Sequence, residues 1–194
     1  MCAPANVRID ALTGLVSGVR QVLSPHFDAR PPGMTAQLLV VHGISLPPQQ
    51  FGGPWIDHLF AGTLPPAVHP FFAELASQRL SAHALIRRDG QIVQYVPFGA
   101  RAWHAGQSHY QGRSGCNDFS IGIELEGAEA IPYTDAQYAS LSALSAALLR
   151  AYPTLSSERI AGHADIAPGR KSDPWESFDW GRYRAQLAAR LLQP

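Results

Sequence analysis

The stretch AQLLVVHGIS, residues 36–45, decides the fold of this 194-residue chain. Its apolar run, Leu38 to Val41, has no polar break and stops at His42. A short continuous apolar run with β-branched residues is typical of a strand that is buried on both faces. We therefore predict a central strand that ends at His42, where a loop rich in glycine and proline begins.

The rest of the chain predicts further strands and helices around this one. SAHALIRRDGQIVQYVP (81–97) is typical of a hairpin that turns at Asp89-Gly90, and DFSIGIELEG (118–127) is typical of a strand. Thr134 and Gln137 match a capping box at the start of a helix. A strand at 159–161 and helices at 54–61, 66–79 and 179–192 complete the prediction. We expect one α/β domain over residues 1–194, a central mixed β-sheet flanked by helices, with residues 1–23 as an N-terminal lead-in.

Composition narrows the possible classes of function. Lys plus Arg and Asp plus Glu are 15 each, so no excess of basic charge points to nucleic acid or an anionic membrane. No apolar run approaches the ~20 residues that span a bilayer, and residues 1–20 lack the features of a signal peptide. Cys2 and Cys116 are predicted to be free thiols. We expect a cytoplasmic protein with no nucleic acid, membrane or obligate protein partner.

Two histidines and one aspartate follow predicted strands or lie in stiff loops. Taken singly, His42 and His163 are ordinary hydrogen-bonded residues at strand ends, and Asp173 before Pro174 is a turn residue. Taken together, two imidazoles and one carboxylate suit zinc, with a fourth tetrahedral position open for water. A structural zinc site would more often use cysteines, and the two in this chain are badly spaced for one.

Two further residues complete a possible hydrolytic set. Glu124 is on the polar face of its predicted strand, where it is either a base for water or a solvated surface residue like Glu126. Lys171 precedes Asp173 by two residues, so it is either a cation near a developing oxyanion or an ordinary surface lysine. Spacing alone leaves both alternatives open.

Four long blocks carry a family resemblance: VVHGISLPPQQFGGPWID (40–57), SAHALIRRDGQIVQYVPFGARAWHAG (81–106), CNDFSIGIELEG (116–127) and GHADIAPGRKSDP (162–174). They resemble, in order, the motifs of the zinc N-acetylmuramoyl-L-alanine amidases, and most of all the AmpD type, the cytosolic 1,6-anhydro-muramoyl amidases. The resemblance implies a fold like that of peptidoglycan-recognition proteins and one zinc ion per chain. It also implies an anhydro-muropeptide substrate, cleaved between anhydro-N-acetylmuramic acid and L-alanine.

The resemblance also assigns roles to residues. It implies that His42, His163 and Asp173 bind the metal, that Glu124 is the acid/base and that Lys171 stabilises the oxyanion. Trp103 and His104, in the loop AWHAG, are candidate substrate contacts, although packing on the rim of the sheet explains Trp103 nearly as well. His83 either faces the site or is a satisfied core histidine.

The chain departs from the family pattern at three positions. Gly43 stands where relatives often carry Asn, which would loosen a contact behind the ligands, and Trp175 stands where a smaller residue is expected. Gly115 stands where an arginine often binds the stem peptide; Arg79 and Arg113 are the candidates to replace it.

Three other functions are weighed against the amidase. A non-catalytic peptidoglycan-binding module would not need the complete set of ligands, glutamate and lysine. An envelope amidase acting on intact peptidoglycan would need export, and no signal is found. A zinc peptidase of ordinary proteins is disfavoured because no HExxH motif occurs.

Overall fold

A mixed six-stranded sheet forms the centre of the computed structural model, which describes residues 7–193. The strands are β1 (Ile9–Asp10), β2 (Leu15–Val16), β3 (Arg20–Gln21), β4 (Phe27–Asp28), β5 (Leu38–Ile44), β6 (Ala84–Ile86), β7 (Ile92–Gln94), β8 (Arg101–Ala102), β9 (His109–Tyr110), β10 (Arg113–Ser114), β11 (Ser120–Glu126) and β12 (Ile160–Gly162). The sheet order is β12-β5-β11-β6-β7-β3. Only the β6–β7 hairpin is antiparallel within it, so the prediction of a mixed sheet is confirmed.

Helices cover the sheet on both sides. They are α1 (Trp55–Phe60), α2 (Pro70–Leu75), α3 (Asp135–Ala151), α4 (His163–Ile166) and α5 (Trp180–Leu191), with a 3-10 helix at Cys116–Asp118. Leu39 and Val41 pack in one cluster with α3 and α5, whereas Leu38 and Val40 pack in another with Ile166. The apolar run of β5 is therefore buried on both faces, as its sequence predicts.

Several predicted boundaries shift. β5 continues two residues past His42, because Gly43 and Ile44 still pair with β11. The helix expected at 66–79 spans only Pro70–Leu75: the residue before a proline is disfavoured in a helix, and His69 instead caps the first turn by accepting a hydrogen bond from the Phe71 N–H. The capping box of Thr134 and Gln137 is confirmed, each side chain accepting from the other's backbone N–H.

The N-terminal lead-in contributes more than expected. Arg20 and Gln21 form β3, which extends the sheet beside β7, and the Arg20 guanidinium donates to Asp57 at 2.7 Å. Cys116 is buried and has no disulfide partner within the described range, whereas Cys2 lies outside the described residues. Between residues 7 and 193, no helix combines the length and hydropathy needed to cross a bilayer.

Glu126 is not on a solvated face, so that reading of it is wrong. Its side chain is buried, and its two oxygens accept hydrogen bonds from the Gly52 N–H at 2.6 Å and the Arg88 N–H at 3.1 Å. The Arg87 guanidinium lies 3.5 Å away. Every residue of β11 is buried, so even its polar side chains need partners within the protein.

We predict that Glu126→Gln destabilises the fold. A glutamine offers one acceptor oxygen, so its amide N–H₂ would face one of the two backbone N–H donors, at a cost of about 1–3 kcal/mol. Urea unfolding measures this difference, with the nearby exposed Glu129→Gln as the matched control. Equal stability of the two variants would contradict a structural role for Glu126.

Candidate active site

Three of the predicted residues form a row across adjacent parallel strands. Glu124 of β11 pairs in register with His42 of β5. On the other side, Gly162 pairs with Val41, so His163 follows immediately beside His42. Neighbouring residues in register point to the same face of a parallel sheet. The row therefore brings two imidazoles and a carboxylate to one end of the sheet.

His42, His163 and Asp173 form a buried cluster that could bind a metal ion. One ligand atom from each residue lies within 4.8 Å of the other two. The Asp173 Oδ2 atom is 3.2 Å from Nδ1 of His163 and 3.5 Å from Nδ1 of His42. The loop after α4 carries Asp173 back to the row, and the Ala164 N–H fixes it by donating to the Asp173 carbonyl at 2.9 Å.

Burial sets the charges of this cluster. Burial lowers the pKa of His42 to about 4, against the opposing effect of the neighbouring Asp173 carboxylate, so His42 is neutral near pH 7. Burial alone would raise the pKa of Asp173, but the hydrogen bond from His163 and the neighbouring His42 imidazole outweigh it and hold that pKa well below its usual range. The cluster therefore presents a carboxylate and at least one neutral imidazole, the forms that ligate metals.

Glu124 is the unsatisfied polar group of the site. Its carboxylate is buried, and Oε2 has no hydrogen-bond partner among the described residues. Burial raises its pKa well above the usual value; the Asp173 carboxylate adds to this rise and Lys171 opposes it. A buried acceptor without a partner is costly unless a ligand or water completes it, so this oxygen is available to a reacting group.

Lys171 is exposed on the loop between His163 and Asp173. It is the chain's only lysine, since the other 14 basic residues are arginines. Its backbone N–H donates to Ala167 at 3.0 Å, and its ammonium is near enough to act electrostatically on His42 and Glu124. The loop thus carries a candidate ligand and an exposed cation together.

Gly43 and Trp175, two of the three departures from the family pattern, pack against each other. A Cβ on Gly43 would overlap the Trp175 indole and lie 2.5 Å from the Tyr133 hydroxyl. Trp175 itself has a left-handed backbone, with φ of 63°. The Gly43 N–H still donates to the Asp173 carboxylate at 3.3 Å. The Trp175 indole therefore fills the space above Gly43, and the contact of Gly43 with the Asp173 carboxylate is made by its backbone.

Gly115, the third departure from the family pattern, lines a cavity of about 490 Å³ beside the loop that connects His163 to Asp173. His109, Gly115, Ile166 and Ala167 are among the residues that line this cavity. Arg170 also lines it, but its Nη2 atom donates to two backbone carbonyls of residues 105 and 107 at 2.7 Å. Because Gly115 has no side chain, the cavity stays open there.

The predicted substrate contacts are not gathered at the cluster. Arg113 lies at the amino end of β5, where it stacks on Phe119 and donates to Gln37. Arg79 is exposed before β6. Trp103 donates its indole N–H to Asp28 at 3.2 Å and stacks on His26.

The rings of His104 and His83, the other two histidines considered as site residues, point into the protein interior. Both ring nitrogens of His104 contact protein atoms, Nδ1 with His42 and Nε2 with Ser120, so neither ring nitrogen is free to bind a substrate. A substrate contact by this residue stays a prediction. His83 is a satisfied core histidine, bonded to Gly122 and Ala100, and burial lowers its pKa to about 3.

Two residues that the sequence did not indicate, Tyr133 and Asn117, support the site through hydrogen bonds to backbone groups. The Tyr133 hydroxyl donates to the Pro174 carbonyl at 3.2 Å and lies close to Gly43. Asn117 accepts hydrogen bonds from the backbone N–H groups of His104 and Ala105. Neither residue belongs to a recognisable motif for such a role, because each acts through a contact distant in sequence.

Comparisons with known proteins agree with this geometry. A family model described as N-acetylmuramoyl-L-alanine amidase matches residues 32–176. The 1,6-anhydro-N-acetylmuramyl-L-alanine amidase AmpD of Escherichia coli K12 is 63% identical over 175 residues, which are 90% of this chain and 95% of the relative. A crystal structure of a selenomethionine AmpD derivative superposes with a TM-score of 0.89 at 59% identity, covering 92% of this chain and 98% of the other.

A more distant structure was solved with a bound ligand. It is the E. coli N-acetylmuramyl-L-alanine amidase AmiD in complex with the substrate anhydro-N-acetylmuramic acid-L-Ala-D-γ-Glu-L-Lys. Its identity is 29% and its TM-score 0.58, with 81% of this chain and 60% of the other covered. These similarities confirm the predicted amidase fold.

We predict that Gly43 and Trp175 are energetically coupled. Gly43→Ala forces a methyl group into the indole, and overpacking of this kind costs about 1–3 kcal/mol. Trp175→Gly removes the indole and relieves the left-handed backbone, so the double variant should lose less stability than the sum of the single variants, by about 0.5–3 kcal/mol. Urea unfolding of all four proteins gives this coupling.

Gly99→Ala is the control, because a Cβ at that position meets open space. Strict additivity of Gly43→Ala and Trp175→Gly would show that the two residues are not a matched pair.

Proposed function

The chain belongs to the N-acetylmuramoyl-L-alanine amidase family, and we propose that it is a zinc enzyme that hydrolyses the amide between 1,6-anhydro-N-acetylmuramic acid and L-alanine of the stem peptide. The observation that carries this proposal is the buried His42–His163–Asp173 cluster beside the unpartnered Glu124 carboxylate. The relatives named for the anhydro sugar, up to 63% identical, support that substrate class.

The spacing of the cluster supports zinc. Zinc bonds to nitrogen and oxygen of about 2.0–2.2 Å place neighbouring ligand atoms of a tetrahedron about 3.3–3.6 Å apart. The Asp173 Oδ2 atom is 3.2 and 3.5 Å from the Nδ1 atoms of His163 and His42. Two imidazoles and one carboxylate are also a donor set found in catalytic zinc sites with one open position. Zinc held by these residues would supply a Lewis acid that makes water a better nucleophile.

The remaining chemistry belongs to Glu124 and Lys171. Glu124 Oε2 is buried and has no competing protein partner among the described residues, which favours a role in taking a proton from water and passing it to the leaving amine nitrogen. The Lys171 ammonium lies on a loop anchored at Ala167 and Asp173, which favours a role at the carbonyl oxygen as negative charge develops there.

The rival functions differ in what they require. A non-catalytic binding module is disfavoured because it gives no reason to bury an unpartnered glutamate beside the cluster. An envelope amidase acting on intact peptidoglycan shares the same chemistry and differs by location and substrate. We propose a cytosolic role in recycling anhydro-muropeptides, in keeping with the anhydro sugar in the names of the relatives.

We predict that the metal requires all three cluster residues. Replacing His42, His163 or Asp173 by Ala removes one of three protein ligands, so zinc content and amide hydrolysis should fall together. Elemental analysis of dialysed protein, with wild type at one zinc per chain, measures this loss. Full zinc occupancy in all three variants would place the metal elsewhere.

We predict that Glu124→Gln and Lys171→Ala keep zinc but lose turnover. Loss of a general base typically costs ~10²–10⁴ in rate, and loss of an oxyanion donor about 10²–10³ in kcat. Muropeptide binding should weaken far less, since neither change removes a metal ligand.

Glu129→Gln is the matched carboxylate control, because it is exposed three residues past the strand that carries Glu124. Glu126 is unsuitable as a silent control because both of its oxygens hold backbone N–H groups. If Glu124→Gln retained wild-type turnover, the base would have to be another group.

We predict that the protein stays in the cytosol with Cys116 reduced. Cell fractionation with thiol labelling measures both, because a free thiol is the state that a reducing compartment maintains. Recovery of an N-terminally shortened form from the periplasm would favour the envelope amidase.

A further inference from the structure

A series of hydrogen bonds runs from His42, in the His42–His163–Asp173 cluster, into the protein interior. His42 Nε2 is 2.9 Å from His104 Nδ1, His104 Nε2 is 3.1 Å from Ser120 Oγ, and Ser120 Oγ is 2.6 Å from the Cys116 carbonyl. Ser120 and Cys116 are fully buried. The series thus links a candidate ligand to a fixed backbone group.

The direction of each hydrogen bond follows from the last one. A carbonyl oxygen only accepts, so the Ser120 hydroxyl proton lies on the 2.6 Å contact to Cys116. Ser120 Oγ must then accept from His104, which places the proton of the neutral His104 ring on Nε2. His104 Nδ1 is therefore an acceptor, and it receives the Nε2–H of His42. Nδ1 of His42 is left without a proton, on the side that faces Asp173.

The surroundings fix the His104 ring in this position. Asn117 Oδ1 accepts from the backbone N–H groups of His104 and Ala105, at 3.1 and 2.8 Å. A Cβ on Gly122 would lie 2.5 Å from His104 Nδ1, so only glycine leaves space for the ring there. His83 packs edge-on against the ring at 5.7 Å.

We propose that His104 is a positioning residue for the metal site: it holds His42 in the orientation and tautomer whose Nδ1 is free to bind the metal. Partners of this kind raise metal affinity because the ligand needs neither to rotate nor to lose a proton when the ion binds. The inference rests on the proposed zinc function, but the tautomer of His42 does not, and it is measurable without metal.

The proposal is distinct from a substrate contact by the same ring. A substrate contact would leave zinc affinity unchanged and raise KM. A positioning role lowers zinc affinity, and excess zinc restores kcat with KM nearly unchanged.

Three substitutions separate the hydrogen bonds of His104. His104→Asn keeps an acceptor near the position of Nδ1, His104→Gln keeps a polar group only near the position of Nε2, and His104→Ala keeps neither. We expect zinc to bind about 10–100-fold more weakly to the Gln and Ala variants, the usual cost of losing such a partner. We expect the Asn variant to keep most of the zinc affinity of the wild type.

The experiment combines imidazole ¹⁵N NMR of the zinc-free protein with zinc competition against a chelator. The proposal predicts an Nε2–H tautomer for His42 in wild type and in His104→Asn, and a mixture of tautomers in His104→Ala. If the Ala variant does not fold, Ser120→Ala tests the same series of hydrogen bonds from its far end and should weaken the tautomer preference of His42.

The outcomes distinguish the two claims. A wild type that binds no zinc overturns the proposed function, whereas the NMR result still tests the positioning of His42. An Nδ1–H tautomer in wild type, or equal zinc affinity of wild type, Gln and Ala variants, overturns the role of His104.

Discussion

The register of three parallel strands is the constraint on which the site depends. β11 aligns Glu124 with His42, and β12 ends one residue before His163. Side chains alternate between faces along a strand, so a slip of one residue would turn His42 or Glu124 to the opposite face. The apolar residues that precede His42 in β5 hold that register because they are buried on both faces of the sheet. Leu39 and Val41 pack on one face, and Leu38 and Val40 pack on the other.

Four histidine rings lie side by side from the candidate metal ligands into the protein interior, and a neutral imidazole suits such a buried row. The rings of His163, His42, His104 and His83 follow one another at centroid distances of 4.4, 5.0 and 5.7 Å. Burial lowers the pKa of His42, His104 and His83, so these buried rings are uncharged near pH 7. A neutral imidazole donates from one nitrogen and accepts at the other, which satisfies both in a dry interior. These three buried rings therefore add no positive charge to the interior beside the cluster.

Sequence patterns predicted the parts of the structure that follow local rules. The buried strand, the Asp89-Gly90 hairpin and the cap at Thr134 depend on residues close in sequence, and all three are present. The candidate ligands His42, His163 and Asp173 were predicted from residue type and position, and the structure brings them together.

What the sequence could not predict depends on distant contacts. The two-residue β3 strand has no pattern of its own and is defined by pairing with β7. Glu126 was predicted to be a surface residue because alternation indicates a second face of the strand, but not that the segments at Gly52 and Arg88 cover that face. His104 was predicted to be a loop residue near the substrate, and the packing of its ring over Gly122 has no local sequence pattern that would indicate it.

The most direct test of the central claim is mass spectrometry of a purified anhydro-muropeptide after incubation with the protein. The account predicts release of the intact stem peptide and of free anhydro-N-acetylmuramic acid, loss of that release with a chelator, and its return with added zinc. Unchanged substrate, or release of the same products in the presence of chelator by protein shown to be free of metal, would contradict it.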